Sequence, residues 1–236
     1  KKLALELGGN APFIVFDDAD LDQAVQGAMP SKFRNAGQTC VCANRFYAQA
    51  GIYDAFVAKL GEKMRSLQVG NGFDANTTQG PLIDNAALQK VQAHVADAVA
   101  LGGRIAAGGQ ALHGRFFAPT LIANANPNML CAREETFAPL APVFRFETEA
   151  QAIAAANATP YGLASYIYSR DMARIIRVSE ALEYGMVGVN VGQFGSENTP
   201  FGGIKQSGMG REGARHGLQE YLEMKLLVLG DIASQP

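Results

Sequence analysis

Short runs of β-branched and aromatic residues alternate along this chain with stretches whose apolar residues recur every third or fourth position. The runs Phe13-Ile14-Val15-Phe16, Val143-Phe144-Arg145-Phe146, Tyr166-Ile167-Tyr168 and Val187-Gly188-Val189-Asn190-Val191 are each flanked by Gly, Pro, Asp or Asn and read as strands. Ile52, Phe56, Leu60, Met64 and Leu67 form one helical stripe, and Leu88, Val91, Val95 and Val99 form a second that Gly102-Gly103 closes. A third helix is predicted from Asp171 as N-cap, burying Ile175, Val178 and Leu182 and stopping at Gly185. Strands alternating with helices imply βαβ units around a largely parallel sheet, an α/β domain of about 210 residues followed by a tail. The tail carries Leu226-Leu227-Val228-Leu229, which reads either as a last core strand or as an edge that another subunit must cover.

Composition narrows the function classes. Twenty Lys and Arg against 22 Asp and Glu give a net charge of −2, with no basic run to meet nucleic acid or an anionic membrane. The apolar and charged fractions, 48% and 18%, are those of a globular protein and exclude disordered or collagenous classes. No apolar stretch approaches the roughly 20 residues that cross a bilayer. Three cysteines, an odd number too small for a disulfide scaffold, fit a reducing cytoplasm. The chain opens with no initiator Met and no signal peptide, inside what reads as a strand running into Gly8-Gly9, so further sequence is expected upstream.

Two residues stand out chemically. Cys40 follows Gly37-Gln38-Thr39, and polar Gln38, Thr39 and Asn44 are odd company for a structural cysteine. Gly37 is expected to let the backbone approach a ligand. A free thiol is only a few per cent ionised at neutral pH, so a nucleophilic Cys40 needs a helix N-terminus, a cation or a base. None of the three histidines has a flanking motif: His94 reads as a solvated position on the second helix, His113 as part of a turn, His216 as part of a late helical run. Glu6, between Leu5 and Leu7, is the better candidate base, since burial would raise its carboxyl toward neutrality. Gly208-Met209-Gly210-Arg211-Glu212-Gly213 matches a dinucleotide fingerprint literally but lacks the strand before it and the βαβ unit after it, and reads as a turn. Cys40 and Cys42 have no second pair with which to hold zinc.

With Glu6 and Cys40 together in view, the chain resembles the catalytic half of an aldehyde dehydrogenase. Leu5-Glu6-Leu7-Gly8-Gly9-Asn10-Ala11-Pro12 is similar to that family's glutamate signature and residues 33–44 to its cysteine signature. Glu134-Glu135-Thr136-Phe137-Ala138-Pro139, Thr159-Pro160-Tyr161-Gly162-Leu163-Ala164 and residues 200–208 continue the likeness in order. The resemblance implies a Rossmann-like parallel-sheet catalytic domain over residues 1–214 and, over 215–236, a tail whose strand, about Lys225 to Gly230, extends a neighbouring subunit's sheet in a homodimer or homotetramer. It implies Cys40 as nucleophile, Glu6 as the base that activates the hydrolytic water, and NAD or NADP as hydride acceptor, with Glu135 on the nicotinamide ribose and Phe137 near the ring. The family's usual Gly after that Phe is Ala138 here, which puts a close backbone contact there in question. Most of the family's dinucleotide-binding domain lies before the glutamate signature, so this chain alone is expected to bind cofactor poorly and to turn over little.

The cysteine segment is especially similar to succinate-semialdehyde dehydrogenases, a resemblance that puts Arg34 and Ser196 on the far carboxylate of an ω-carboxy aldehyde. Glutarate or 2-oxoglutarate semialdehyde is the alternative substrate. A non-catalytic assembly module is the alternative of another class. Cys42 is the implied partner of Cys40 in a reversible redox switch.

Overall fold

A computed structural model describes residues 2–231. Its strands are β1 (Leu5–Glu6), β2 (Ala11–Val15), β3 (Ala43–Gln49), β4 (Arg104–Ala107), β5 (Thr120–Ala125), β6 (Leu140–Phe146), β7 (Tyr161–Gly162), β8 (Ala164–Tyr168), β9 (Met186–Val189), β10 (Ile204–Lys205) and β11 (Gly208–Met209). Its helices are α1 (Leu21–Phe33), α2 (Tyr53–Met64), α3 (Asn85–Ala100), α4 (Leu130–Arg133), α5 (Glu149–Asn157) and α6 (Met172–Ala181). Seven strands make one sheet in the order β4-β5-β6-β3-β2-β8-β9, parallel throughout except for β4.

Successive residues of the central strands are buried on alternate faces, which is why these strands read as nearly unbroken apolar runs. Phe13, Val15, Phe46, Ala48 and Val143 pack beneath α1 and α2. Ile14, Phe16, Tyr47 and Phe144 face the other way, toward α5 and α6, and Ile122 and Leu140 meet α3 and α4. Two smaller pairings hold the 204–209 segment: β11 lies against β1 at the start of the chain, and β10 lies against β7. Among the described residues no helix is long and apolar enough to cross a membrane.

All four strand runs and all three helical stripes fall on elements of the expected type, with changes at their ends. Asp171 does cap α6, accepting from the amides of Ala173 and Arg174. The helix stops at Ala181 rather than Gly185, because Gly185 is needed elsewhere: a Cβ there would lie 2.1 Å from the Gly202 carbonyl oxygen. Val99 is exposed, so the buried stripe of α3 ends at Ala98. The core-strand reading of residues 226–229 does not hold. They form no strand with this chain and lie largely exposed, beyond a 3-10 helix at Arg215–Tyr221.

One buried cation ties the sheet to the helices beneath it. Arg45, 1% exposed, donates from Nε and Nη2 to the Asn10 carbonyl, from Nη1 and Nη2 to the Ala155 and Ala156 carbonyls, and to the hydroxyls of Tyr47 and Tyr184. It has no carboxylate partner among the described residues; its charge is spread over carbonyls, two of them in the last turn of α5, where the helix dipole is negative. Only a planar fork reaches all of these acceptors. Arg45→Lys is therefore expected to lower stability by about 2–4 kcal/mol, read from urea unfolding; a change within about 0.5 kcal/mol would show that the fork is dispensable.

Candidate active site

The chain reaches Cys40 through a backbone that only a crowded setting can hold. After α1, residues Asn35, Ala36 and Gly37 take φ of 51°, 56° and 75° in succession. Two of these are not glycine, and each such residue costs about 1–2 kcal/mol. Side chains fix the turn: Asn35 Nδ2 donates to the Gln38 carbonyl at 3.0 Å, and Gln38 Nε2 donates back to the Asn35 carbonyl at 3.1 Å. Gln38 also donates to the Pro81 carbonyl and accepts from the Ile83 amide, pinning the 81–83 loop to the turn. Gly37 does bring backbone close to something, but to Ala138 rather than to a ligand. A Cβ on Gly37 would sit 2.4 Å from the Ala138 carbonyl oxygen. Ala138 is itself fully buried, so the close contact survives where the family's usual glycine is replaced.

Glu6 is delivered by β1, whose partner β11 opposes it with Gly208. The Leu7 amide donates to the Ser207 carbonyl, and the buried Ser207 hydroxyl donates to the Gly8 carbonyl at 2.7 Å. The following turn fits between the other two parts of the site. A Cβ on Gly8 would lie 2.6 Å from Glu135 Oε2, and one on Gly9 would lie 2.8 Å from the Cys40 carbonyl oxygen. The Gly9 amide donates to Glu135 Oε1 at 3.0 Å. Cys40, Glu6 and Glu135 thus converge on one Gly-Gly turn.

Their electrostatics follow from burial and from one another. Burial and the nearby carboxylates of Glu6 and Glu135 push the Cys40 thiol up to about 11, against the weaker pull of the Cys40 and Val41 amides facing the sulfur. An ionised resting sulfur, as a nucleophile might suggest, is not what this setting produces. Among the described residues two acids, and no cation, act on it. Glu6 is raised by burial first and by Glu212 second, and lowered by the Cys40 thiol beside it. Its Oε1 is buried with no hydrogen-bond partner among the described residues. Glu135 is also raised by burial, against the Gly9 amide and the charges of Lys90 and Lys32. A carboxylate next to a protonated thiol can take its proton as the sulfur bonds to an electrophile.

A cavity of about 910 Å³ opens over Cys40 and is lined also by Arg34, Phe137, Phe194, Ser196 and Phe201. Arg34 is exposed and makes no ion pair or side-chain hydrogen bond among the described residues. Ser196 lines the same cavity, its Oγ accepting from the Asn198 amide. Phe137, at φ 54° and 37% exposed, stands at the rim. Glu6 does not line this cavity; it faces a smaller one beside Phe201 and Glu212. Cys42 turns away into the core, where Lys32 Nζ reaches its sulfur at 3.4 Å and Asn44 Oδ1 at 3.3 Å. Both thiols are free.

Three residues were invisible as site features from sequence. Lys32 and Glu212 sit among ordinary surface charges in the sequence, and only packing brings them close. His94, which the sequence places in solvent, is 2% exposed and contacts Thr136 and Glu134. Among the described residues no group of three acidic, Cys or His side chains could hold a metal.

Comparison with known proteins adds to this geometry. Residues 1–227 match the aldehyde dehydrogenase family. The chain is 59% identical to the glutarate-semialdehyde dehydrogenase of Pseudomonas aeruginosa over 98% of its length and 48% of that protein. It is 57% identical to the NADP(+) succinate-semialdehyde dehydrogenase of Escherichia coli, again over 98% of this chain and 48% of the relative. The crystal structure of an E. coli NADP-dependent enzyme superposes with a TM-score of 0.94 at 58% identity, covering 95% of this chain and 47% of that one. The chain spans about half the length of the curated relatives it matches.

Alkylation of Cys40 by iodoacetamide is expected to accelerate with pH well beyond 9, because the thiol ionises only near its raised value of about 11. Replacing Glu6 by Gln removes a repelling charge, so the apparent ionisation should move to lower pH. A wild-type midpoint near 7, or an upward shift in Glu6→Gln, would contradict this electrostatic reading.

Proposed function

We propose, since this chain belongs to the aldehyde dehydrogenase family, that it carries the catalytic machinery of an enzyme oxidising an ω-carboxy aldehyde to its acid. Glu6 accepts the Cys40 proton as the sulfur attacks the aldehyde carbon. The carbonyl electron pair moves to oxygen, and the amides that already face the sulfur are the donors nearest that developing charge. Glu135 and Phe137 would hold the nicotinamide end of NAD or NADP, which supplies the acceptor for the hydride leaving the substrate carbon. What remains on sulfur is a thioester. Glu6, having passed that first proton to solvent, then takes one from water; hydroxide adds to the acyl carbon, the acid departs, and the expelled thiolate recovers the proton from Glu6.

The residues present suit that cofactor end. Glu135 Oε1 is engaged by the Gly9 amide, which orients the carboxylate and leaves a second oxygen to accept from a ribose hydroxyl. Phe137 presents an exposed ring on the cavity that holds Cys40.

The single observation that carries the substrate class is Arg34. A guanidinium without an anionic partner among the described residues shares a cavity with the nucleophile, and a carboxylate pairs with such a group bidentately. Ser196 is the second group for that carboxylate. Succinate semialdehyde is the favoured substrate; the roomy cavity and the glutarate-acting relative support glutarate semialdehyde as the second reading. The exposed apolar tail supports assembly through residues 225–230 into a homodimer or homotetramer. Cys42 as a redox partner of Cys40 would first have to turn out of the core, leaving Lys32 behind.

In the intact protein, Arg34→Ala is expected to raise KM for succinate semialdehyde by about tenfold and to spare butanal, while Cys40→Ala abolishes oxidation of both. Equal losses for the charged and the neutral aldehyde in Arg34→Ala would overturn the substrate assignment.

A further inference from the structure

One face of α3 holds the segment that bears Glu135 and Phe137. Positions 90, 94 and 97 lie one above another on a helix, and each reaches residues 130–136. Lys90 Nζ donates to the Glu135 carbonyl at 2.5 Å, and Asp97 Oδ2 accepts from the Leu130 amide at 2.6 Å. Between them, His94 contacts Thr136 Oγ1 through Nδ1 at 3.2 Å and Glu134 Oε2 through Nε2 at 3.3 Å. His94 and Thr136 are both 2% exposed. The imidazole therefore grips the two residues that flank Glu135 on either side.

We propose that His94 is the positioning residue for the cofactor-facing segment, fixing Glu135 and Phe137 by tying Glu134 and Thr136 to α3. This rests on the cofactor reading of Glu135 and Phe137 given above. The hydrogen-bond directions follow from chemistry. Burial lowers the ring's pKa against the opposing pull of Glu134, with Lys90 and Asp97 contributing smaller opposite effects, so the ring is neutral near pH 7 with one N–H. The Glu134 carboxylate can only accept, so Nε2–H donates to it; Nδ1 then accepts the Thr136 hydroxyl proton. A fixed anchor of this kind is what the next residue but one needs, because Phe137 is held at a φ of 54° that an unsupported Phe would leave. The Gly9 amide holds Glu135 from the front while α3 holds its neighbours from behind.

The test uses the intact protein with His94→Ala, His94→Gln and Thr136→Val. Without dinucleotide, amide hydrogen exchange of residues 134–137 is expected to quicken by about tenfold in His94→Ala, with α3 and the sheet unchanged. Titration with NADH and NADPH by fluorescence should show about fivefold weaker binding. His94→Gln, which keeps a donor for Glu134, should recover part of both effects, and Thr136→Val should reproduce the half that depends on Nδ1. Unchanged exchange at 134–137, exchange quickened equally throughout the fold, or unaltered dinucleotide binding in a loosened segment would each overturn the proposal. Glu135→Ala tests the underlying reading separately. If that variant binds dinucleotide normally, the cofactor assignment fails, and the exchange result alone decides whether His94 ties the segment.

Discussion

The site depends on two places where backbone meets backbone with no room for a side chain. Gly37 lies against the Ala138 carbonyl, and Gly9 lies against the Cys40 carbonyl. Through these contacts the cysteine turn, the glutamate turn and the 134–138 segment are stacked at van der Waals distance, although they are far apart in sequence. Everything functional is consequent on that stacking. Cys40 is brought beside Glu6, Glu135 is brought to the Gly9 amide, and the left-handed run at Asn35, Ala36 and Gly37 is held because its neighbours leave it no alternative.

The same closeness sets the charge state. Two acids near one sulfur make a resting thiolate unfavourable, and burial of the acids raises them in turn. The result is a protonated thiol next to a carboxyl group that burial holds above its ordinary value. Such a pair serves proton transfer in both directions, which a two-step acyl mechanism with one base requires. Arg34 stays out of this cluster: it lines the cavity and, among the described residues, pairs with neither Glu6 nor Glu135.

Much of this was legible from residues alone, for identifiable reasons. The central strands announce themselves because both faces of a parallel sheet are covered, so the residues of β2, β6 and β8 are apolar or aromatic on both faces, except Arg145 and Ser165. The helix α1 carries no such signature: Gly27 and Pro30 interrupt it, and only Val25 and Phe33 among its buried residues are large and apolar. The alanine-rich α5 likewise lacks large residues from which a period could be read. At the site, Cys40 and Glu6 were visible because a thiol among polar residues and a carboxylate between leucines are chemically conspicuous. His94 was not, since a lone His on a helix gives no hint that Thr136 and Glu134, about forty positions later, will fold over it. Gly37 was noticed for the right property, close approach, but its partner is another stretch of backbone.

The central claim is that one carboxylate, Glu6, serves the sulfur of Cys40 and the water that releases the product. Intact-protein mass spectrometry of Glu6→Gln, mixed with succinate semialdehyde and NAD(P)⁺ and quenched in acid over time, addresses it directly. The account expects an acyl adduct on Cys40 that persists long after the wild-type protein has cleared its own. A Glu6→Gln variant that releases acid at the wild-type rate with no lingering adduct would contradict it.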